Sequence, residues 1–341
     1  GDRIAINTPV FTPYIQIPRL SNFDLAEIDL QAREENQWHI PDSEFEKLLD
    51  PSVKAFFLVN PSNPGSRSLT DESLEQLRKV VVKRPDLIII TDDVYGTFVN
   101  GFRTVYSVCP RNTILVYSYS KLYGVTGWRL GVIAINEDNV FDELIKKLPE
   151  KKKKELESDY SIVTLNPSEM SFIDRVCADS RSIGLYHTAG LSTPQQIMMV
   201  LLSMTHLVLE NEKDQYIEGC KEIVAMRYHN LMSTLGLPED NSDCNAKYYS
   251  LLDIYQLAEK SYDKDFATWL RNHFEEIDFL LHLAKEDGVV LMEGVGFGAT
   301  PGTVRVSEAN LADNDYKKIA NRILSLLKEY HEKYAKEKKD K

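Results

Sequence analysis

The feature that most constrains the fold is a series of short, wholly apolar segments separated by helical stretches in roughly the first 135 residues. Residues 56–59 and 87–90 are apolar at every position instead of alternating, so both faces of the sheet that they form must be covered. Between them, residues 70–82 place apolar side chains at helical spacing behind Thr70, a predicted N-cap. This order predicts an α/β fold with a mostly parallel sheet, helices on both faces, and functional groups at the carboxyl ends of the strands.

The same patterns predict two domains. Strands are predicted in the first part of the chain at residues 3–7, 55–59, 87–91, 113–118 and 131–135. A long helical stretch over residues 193–235 ends near Gly236 and leads into predicted helices at 263–282 and 313–336 and strands at 248–254, 289–292 and 303–307. We therefore predict a large domain over residues 1–210, with a charged helical insertion near 142–180, and a connecting helix with a smaller α+β domain over 211–341.

Composition excludes several classes of function. The 40 Lys and Arg residues against 52 Asp and Glu residues give a net charge of −12, which repels nucleic acid. The lysine run at residues 151–154 is flanked by glutamates, so we expect a solvated helix face there. Four widely spaced cysteines, without histidines at ligand spacing, predict reduced thiols and neither a metal site nor disulfides. With no signal peptide and no apolar membrane-spanning run, we predict a cytoplasmic protein without membrane contact.

The strongest local signal is the segment at residues 118–131, directly after a predicted strand. It places Lys121 among the hydroxyls of Ser118 and Ser120 and the guanidinium of Arg129. A lysine in a site that favours its neutral amine can form a Schiff base, and hydroxyls with a guanidinium suit a phosphate dianion. Together these residues indicate a phosphorylated carbonyl cofactor, whereas Lys121 alone would be better explained as a surface lysine in a turn.

Two further motifs follow other predicted strands. In Asn60-Pro61-Ser62-Asn63-Pro64-Gly65 the prolines restrict the backbone, so that the Asn63 amide can donate a hydrogen bond in a set direction. In Thr91-Asp92-Asp93-Val94-Tyr95 a carboxylate leaves an apolar strand and a phenol follows three positions later. Each motif alone is common at turns and strand ends, so the order of the motifs along the chain is more informative about function.

The order Asn-Pro-x-Asn-Pro, Asp-x-x-Tyr, Ser-x-Ser-Lys and Thr-Gly-Trp-Arg resembles that of the fold type I pyridoxal phosphate-dependent enzymes, in the aspartate aminotransferase family. The resemblance implies that fold and pyridoxal 5'-phosphate as cofactor. It also implies that Lys121 forms the Schiff base with the cofactor and that Asp92 pairs with its pyridine nitrogen. Asn63 and Tyr95 would hydrogen-bond the phenolic oxygen of the cofactor.

The resemblance extends to the two ends of the expected site. Ser118, Ser120 and Arg129 would hold the cofactor phosphate, and Phe11 falls where the family stacks an aromatic ring on the pyridine, although core packing would also explain it. In the small domain, Gly302-Thr303-Val304-Arg305-Val306-Ser307 resembles the strand whose arginine binds the substrate α-carboxylate, which makes Arg305 the expected carboxylate clamp. Glu308, where an apolar or aromatic residue is usual, and the loop at 293–298 depart from the family pattern.

The stretch at residues 165–196, with the charged insertion before it and residues 93–99, resembles the bacterial aspartate 4-decarboxylase subfamily. This implies conversion of L-aspartate to L-alanine and CO2, with transamination to a 2-oxo acid as a side reaction, and homo-oligomers built from dimers. His187 in this stretch is interpreted as a structural histidine in preference to a participant. The alternative function is an aminotransferase acting on aspartate or another amino acid.

A third hypothesis starts from Gly1-Asp2-Arg3, which leads directly into a predicted strand. By the resemblance, an arm, part of the small domain and a glycine-containing turn at a helix N-terminus should precede this point. The chain would then be a catalytically silent fragment that needs an N-terminal part. We therefore expect this polypeptide alone to bind pyridoxal phosphate weakly and to turn over poorly.

Overall fold

The strands in the described part of the chain form two β-sheets. The computed structural model describes residues 2–20, 26–32, 38–181, 190–208 and 214–340. The larger sheet is formed by β1 (Arg3–Thr8), β2 (Ala26–Gln31), β3 (Val53–Val59), β4 (Ile88–Asp92), β5 (Thr113–Ser118) and β6 (Gly131–Ala134). Its strand order is β2-β1-β3-β4-β5-β6, and every neighbouring pair is parallel except β5 and β6. The predicted mostly parallel sheet is therefore confirmed.

Helices alternate with these strands and follow them along the chain. They are α1 (Thr12–Leu20), α2 (Asp42–Phe45), α3 (Asp71–Lys83), α4 (Val140–Lys146), α5 (Glu150–Tyr160), α6 (Phe172–Arg181) and α7 (Thr193–Val208). Helix α3 buries Leu74 and Leu77 in one cluster with Phe56 of β3 and Ile89 of β4. As predicted, Thr70 caps α3, and its hydroxyl accepts a hydrogen bond from the Ser73 amide at 3.2 Å.

The charged insertion consists mainly of α4, α5 and α6. The lysine run lies on α5, where Lys152 pairs with Glu155 at 2.7 Å and Lys153 pairs with Glu150 at 2.9 Å. These pairs lie on an exposed helix face, so each stabilises the fold only slightly. The run has the solvated setting that the neighbouring glutamates predict.

The second sheet is antiparallel and lies in the C-terminal part of the chain. Its strands are β7 (Tyr249–Asp253), β8 (Met292–Glu293) and β9 (Thr303–Ser307), in the order β7-β9-β8. The helices of this part are α8 (Gln215–Leu235), α9 (Ile254–Ser261), α10 (Lys264–His273), α11 (Glu276–Asp287) and α12 (Asp315–Lys339). Their buried side chains share one core with the sheet, including Leu257, Phe266 and Tyr316.

Several predicted boundaries differ from the structure. The helix predicted over residues 263–282 is interrupted because Phe274 is extended, with φ −104° and ψ 121°, and this turns its ring into the core, where it is 8% exposed. The stretch at 193–235 comprises α7 and α8, and residues 209–213 between them are outside the described part. Helix α8 ends as predicted at Gly236, whose φ of 66° suits glycine. Strand β8 begins only at Met292, and Val290 in the predicted strand is 82% exposed.

The predicted domain boundary between residues 210 and 211 stays a prediction, because α8 contributes to both parts of the molecule. Near its middle, Val224 packs in a cluster with Ile4 and Ile6 of β1. Near its end, Leu231 and Leu235 belong to the core of the second sheet. Among the described helices, none is long and apolar enough to cross a membrane.

Candidate functional site

Three predicted motifs meet at one edge of the large sheet. In the parallel register, Val59 of β3 lies opposite Asp92 of β4, and Asp92 lies opposite Val116 of β5. Asp92 is the last residue of β4, and the segments that follow β3 and β5 carry Asn63 and Lys121, so all three residues lie at the same edge of the sheet. This placement follows from the strand order alone and agrees with the sequence prediction.

Asp92 at the end of β4 is held by two hydrogen bonds. The Tyr14 hydroxyl of α1 donates to Oδ2 at 3.0 Å, and the Val94 amide donates to Oδ1 at 3.2 Å. Burial raises the pKa of Asp92, whereas these two donors and the charge of Lys121 act in the opposite direction and favour the ionised carboxylate. The carboxyl group is thus fixed in orientation at the base of the site.

Lys121 lies in the turn after β5, where its amine is influenced by the neighbouring charges. Burial is the largest cause that lowers the pKa of Lys121, and the guanidinium groups of Arg305 and Arg129 lower it further. The carboxylate of Asp92 acts in the opposite direction. A lysine in this setting has a larger neutral fraction than a surface lysine and is a better nucleophile and base.

Asn63 and Arg305 join the two sheets. The Arg305 guanidinium of β9 donates from Nη1 to the Asn63 Oδ1 atom at 2.9 Å. This contact occupies the carbonyl side of the amide and leaves the Nδ2 group of Asn63 as its donor. The pair therefore brings the predicted carboxylate clamp to the predicted cofactor loop.

The Arg305 side chain is sandwiched between two aromatic rings. Its Cζ atom lies 4.4 Å from the ring centroid of Tyr249 and 4.6 Å from that of Phe297. Nη2 donates to the Met292 sulfur at 2.9 Å, and Nε is buried without a hydrogen-bond partner among the residues that the structure describes. A planar cation held in this way is preorganised for a planar anion such as a carboxylate.

Tyr95, in the turn after β4, is buried and makes its hydroxyl contact with the small sheet. Its hydroxyl lies 2.9 Å from the hydroxyl of Tyr249. Burial is the largest cause that raises the pKa of Tyr95, so the phenol is protonated at neutral pH. Tyr95 is therefore a neutral hydrogen-bonding group.

The three predicted phosphate ligands are only partly assembled. The Ser118 hydroxyl donates to the Ser120 hydroxyl at 2.9 Å, so these two side chains lie together at the end of β5. Arg129 is exposed, and its Nη1 donates to the Thr126 carbonyl oxygen at 3.1 Å. The structure thus brings the serines together and leaves the guanidinium of Arg129 directed to its own loop.

Phe11 immediately precedes α1 and lies next to Tyr14, whose hydroxyl donates to Asp92. Its ring is 41% exposed and meets the Tyr14 ring edge-on, with centroids 6.1 Å apart. The exposure argues against core packing as the reason for this aromatic residue. Its stacking role stays a prediction.

Sequence reasoning missed Tyr14, Tyr249 and Phe297. Tyr14 lies in the first turn of α1, and Tyr249 stands next to another tyrosine at the start of a strand, so neither belongs to a recognisable motif. Phe297 was noted only within the loop at residues 293–298. His187, which sequence reasoning did consider, lies outside the described residues.

The donor set fits the cofactor that the resemblance implies. Lys121 offers an amine with a lowered pKa, and Asp92 offers a carboxyl group held by hydrogen bonds. Tyr95 offers a neutral phenol, and Asn63 offers an amide donor. These groups match an aldehyde, a pyridine nitrogen and a phenolic oxygen, and the paired serines offer hydroxyls for a phosphate. The individual roles stay predictions.

Comparisons with known sequences place the chain in a family. The family model described as aminotransferase class I and II matches residues 1–323. The chain is 45% identical over 335 residues to a bifunctional aspartate aminotransferase and L-aspartate beta-decarboxylase of a Pseudomonas species, a match that covers 98% of this chain and 63% of that protein. It is 25% identical over 333 residues to an aspartate/prephenate aminotransferase of Nitrosomonas europaea, covering 96% of this chain and 71% of that protein.

Comparisons with solved structures support the fold. An aromatic aminotransferase from Pyrococcus horikoshii matches with a TM-score of 0.67 and 21% identity over 96% of this chain and 73% of that one. An aspartate aminotransferase from Thermus thermophilus with maleate matches with a TM-score of 0.66 and 20% identity over 94% of this chain and 69% of that one. The chain therefore belongs to the class I and II aminotransferase family, whose members share fold type I and depend on pyridoxal phosphate.

Proposed function

We propose that this chain supplies the cofactor and substrate residues of a pyridoxal phosphate-dependent enzyme that converts L-aspartate to L-alanine and CO2, with aspartate transamination as a side activity. The observation that carries the proposal is the 2.9 Å contact between Arg305 and Asn63, which joins a carboxylate clamp to the cofactor loop. The 45% identity to a bifunctional aminotransferase and beta-decarboxylase supports aspartate as the substrate.

In this proposal Arg305 binds the α-carboxylate of the amino acid. The rings of Tyr249 and Phe297 hold the plane of the guanidinium group. The hydrogen bond from Nη1 to Asn63 fixes one end of that group relative to the loop after β3. Bidentate binding by such a fork fixes the direction of the α-carbon as well as its distance. The α-hydrogen is then presented to the side of the site that carries Lys121.

Lys121 serves as the group that binds the cofactor and moves the α-proton. When bound, pyridoxal phosphate supplies an electron sink that stabilises negative charge on the substrate carbon. The lowered pKa of Lys121 increases the neutral amine, which can accept a proton at Nζ and return it. Asp92, fixed by Tyr14 and the Val94 amide, supplies the negative charge for the pyridine nitrogen.

The remaining cofactor contacts are assigned by the same proposal. The Asn63 Nδ2 and Tyr95 hydroxyl groups donate to the phenolic oxygen, Ser118 and Ser120 donate to the phosphate, and Phe11 stacks on the ring. Arg129 joins the phosphate ligands by turning its guanidinium away from the Thr126 carbonyl. A charge-assisted contact to a phosphate dianion is stronger than the neutral carbonyl contact that it replaces.

Loss of the β-carboxylate as CO2 and transfer of the amino group share their first steps, and they diverge according to how the site treats that carboxylate and water. A β-carboxylate without a strong cationic partner, in a site closed to water, favours decarboxylation, whereas access of water favours the oxo acid product. An aminotransferase of aspartate or another amino acid is the second candidate, supported by the aminotransferase relative of Nitrosomonas europaea.

The deciding experiment is incubation of the purified chain with pyridoxal phosphate and L-aspartate, with CO2 and alanine measured in parallel. We expect this polypeptide alone to release CO2 and alanine slowly but in equal amounts without any added 2-oxo acid, and to release none when the cofactor is omitted. Oxaloacetate formed only when a 2-oxo acid acceptor is added would instead support the aminotransferase. Bound cofactor without either product would contradict both candidate functions.

The proposed partners are L-aspartate, a 2-oxo acid and further copies of the chain in a homo-oligomer built from dimers. The proposed location is the cytoplasm. Light scattering of the purified protein tests the assembly, and a mass corresponding to one 39.0 kDa chain would contradict it.

A further inference from the structure

We propose that Tyr249 is a positioning residue that serves two groups of the site through two separate parts of its side chain. Its ring supports the guanidinium of Arg305, and its hydroxyl orients the hydroxyl of Tyr95. The inference rests on the proposed function, because it assigns Arg305 to the substrate carboxylate and Tyr95 to the phenolic oxygen of the cofactor. It adds a residue that couples these two binding events.

The ring contact follows from the register of the small sheet. Tyr249 of β7 lies opposite Ser307 of β9, and Leu251 lies opposite Arg305. Tyr249 and Arg305 are therefore diagonal neighbours on one face of the sheet. The Arg305 Cζ atom lies 4.4 Å from the Tyr249 ring centroid, and because that face of the guanidinium is covered, its planar edge is left to meet an anion.

The hydroxyl contact reaches across to the large sheet. The Tyr249 and Tyr95 oxygens are 2.9 Å apart, and the two rings meet edge to face with centroids 5.3 Å apart. Only one proton can lie between the two oxygens. If Tyr95 uses its own proton for the cofactor, Tyr249 must be the donor, and a donated hydrogen bond makes Tyr95 a stronger donor in turn.

The Tyr249 backbone is also tied to the cofactor loop. Its amide donates to the Ser66 hydroxyl at 2.7 Å, three positions after Asn63. The titratable or charged groups that act on the Tyr249 phenol are Tyr95, Arg305 and Glu308. With burial as the largest cause, the pKa of Tyr249 is raised, which keeps its proton available for donation.

Two variants test the ring and the hydroxyl of Tyr249 separately. Tyr249→Phe keeps the ring and removes the hydroxyl, whereas Tyr249→Leu removes both. Tyr248→Phe is the matched control, since the ring of Tyr248 lies 4.9 Å from that of Tyr95 but its hydroxyl makes no hydrogen bond to Tyr95 in the described part of the chain. All three are studied as the full chain loaded with pyridoxal phosphate.

The first readout is the pH midpoint of the absorbance change of the lysine-bound cofactor. Without the Tyr249 hydroxyl, Tyr95 stabilises negative charge on the phenolic oxygen less well. We expect the midpoint to rise by about half a pH unit or more in Tyr249→Phe, and to stay at the wild-type value in Tyr248→Phe. An unchanged midpoint in Tyr249→Phe would overturn the role of the hydroxyl.

The second readout is the dissociation constant of succinate, a dicarboxylate that cannot react, measured by the same absorbance. We expect it to rise about tenfold in Tyr249→Leu and to change less than about twofold in Tyr249→Phe, because only the first variant uncovers the guanidinium. Equal affinities in the wild type and Tyr249→Leu, or equal losses in both variants, would overturn the separation of roles.

Failure of the proposed function is distinguishable from failure of this inference. Both readouts report cofactor absorbance and ligand binding without turnover, so a wild-type protein that releases no CO2 from aspartate still tests Tyr249. A wild-type protein that shows no cofactor band and no succinate binding would overturn both.

Discussion

Arg305 of the small sheet donates to Asn63 of the loop after β3 at 2.9 Å, across a separation of 242 residues. The contact means that the predicted substrate clamp is hydrogen-bonded directly to the predicted cofactor loop. Since Asn63 is buried and Arg305 is fixed between two rings, neither side chain can move without disturbing the other. Substrate affinity and cofactor affinity should therefore be linked.

Asn63 allows the two affinities to be separated. Asn63→Asp keeps an oxygen for Arg305 but loses the amide donor, whereas Asn63→Ala loses both. We expect both variants to bind pyridoxal phosphate more weakly, and only Asn63→Ala to raise the KM for aspartate, by about five- to tenfold, because a hydrogen bond to a charged group is worth about 1.5–3 kcal/mol and water replaces part of it. Equal KM values in the wild type and Asn63→Ala would contradict the linkage.

Lys121 should be required for covalent attachment of the cofactor. Removal of the amine in Lys121→Ala leaves no nucleophile at the end of β5, so the absorbance band of the lysine-bound cofactor should disappear, and CO2 release should fall by at least about 1,000-fold. Lys152→Ala on the exposed face of α5 is the control and should retain the band. Persistence of the band in Lys121→Ala would show that another lysine carries the cofactor.

Tyr14 should strengthen cofactor binding through Asp92. Its hydroxyl donates to the Asp92 carboxylate at 3.0 Å, and Tyr14→Phe removes only that donor. Because burial already raises the pKa of Asp92, loss of a hydrogen bond that favours the ionised form should raise it further and increase the cofactor dissociation constant about tenfold. The change is measured by absorbance titration with pyridoxal phosphate.

Tyr160→Phe provides a matched control for Tyr14. It also removes a phenol that donates to a carboxylate, here Asp179 at 2.8 Å, but it lies in the insertion. Cofactor affinity should be unchanged in this variant. The same loss of affinity in both variants would mean that the effect of Tyr14→Phe is a general loss of stability.

Glu308 should make the protein less stable as the pH rises. The side chain is fully buried, its Oε1 accepts from the Ser250 hydroxyl at 2.5 Å, and burial raises the pKa of Glu308 to about 8. Between the unfolded value of 4.5 and this folded value, the native state holds a proton that the unfolded state has lost. The free energy of unfolding therefore falls with pH in this window, by at most about 1.4 kcal/mol per pH unit from this group.

Glu308→Gln tests this dependence by urea unfolding at pH 5, 6, 7 and 8. The amide can still accept from Ser250 and has no charge to bury, so the variant should gain stability relative to the wild type as the pH rises. The exposed Glu222→Gln serves as the control and should follow the wild-type curve. A constant difference between Glu308→Gln and the wild type at all four pH values would show that Glu308 does not titrate in this range.

The sequence predicted the large sheet well because its signals are local. Apolar runs such as β3 and β4 need cover on both faces, and the Thr70 cap marks the start of α3 through contacts within a few residues. Strand β2 was missed although its six residues alternate between apolar and polar side chains, which is the pattern of a half-buried strand. The break at Phe274 was missed because helical spacing continues on both sides of it, and only the aromatic core explains the turn.

By itself, the sequence determined which chemical groups leave the sheet at its carboxyl edge, because parallel strands with short connections place the ends of β3, β4 and β5 together whatever surrounds them. It thereby identified Asn63, Asp92 and Lys121. Only the tertiary structure decided what those groups touch. Tyr14 reaches Asp92 across 78 positions and Tyr249 reaches Tyr95 across 154, and no periodicity along a chain encodes contacts that depend on how two sheets and a helix pack in space.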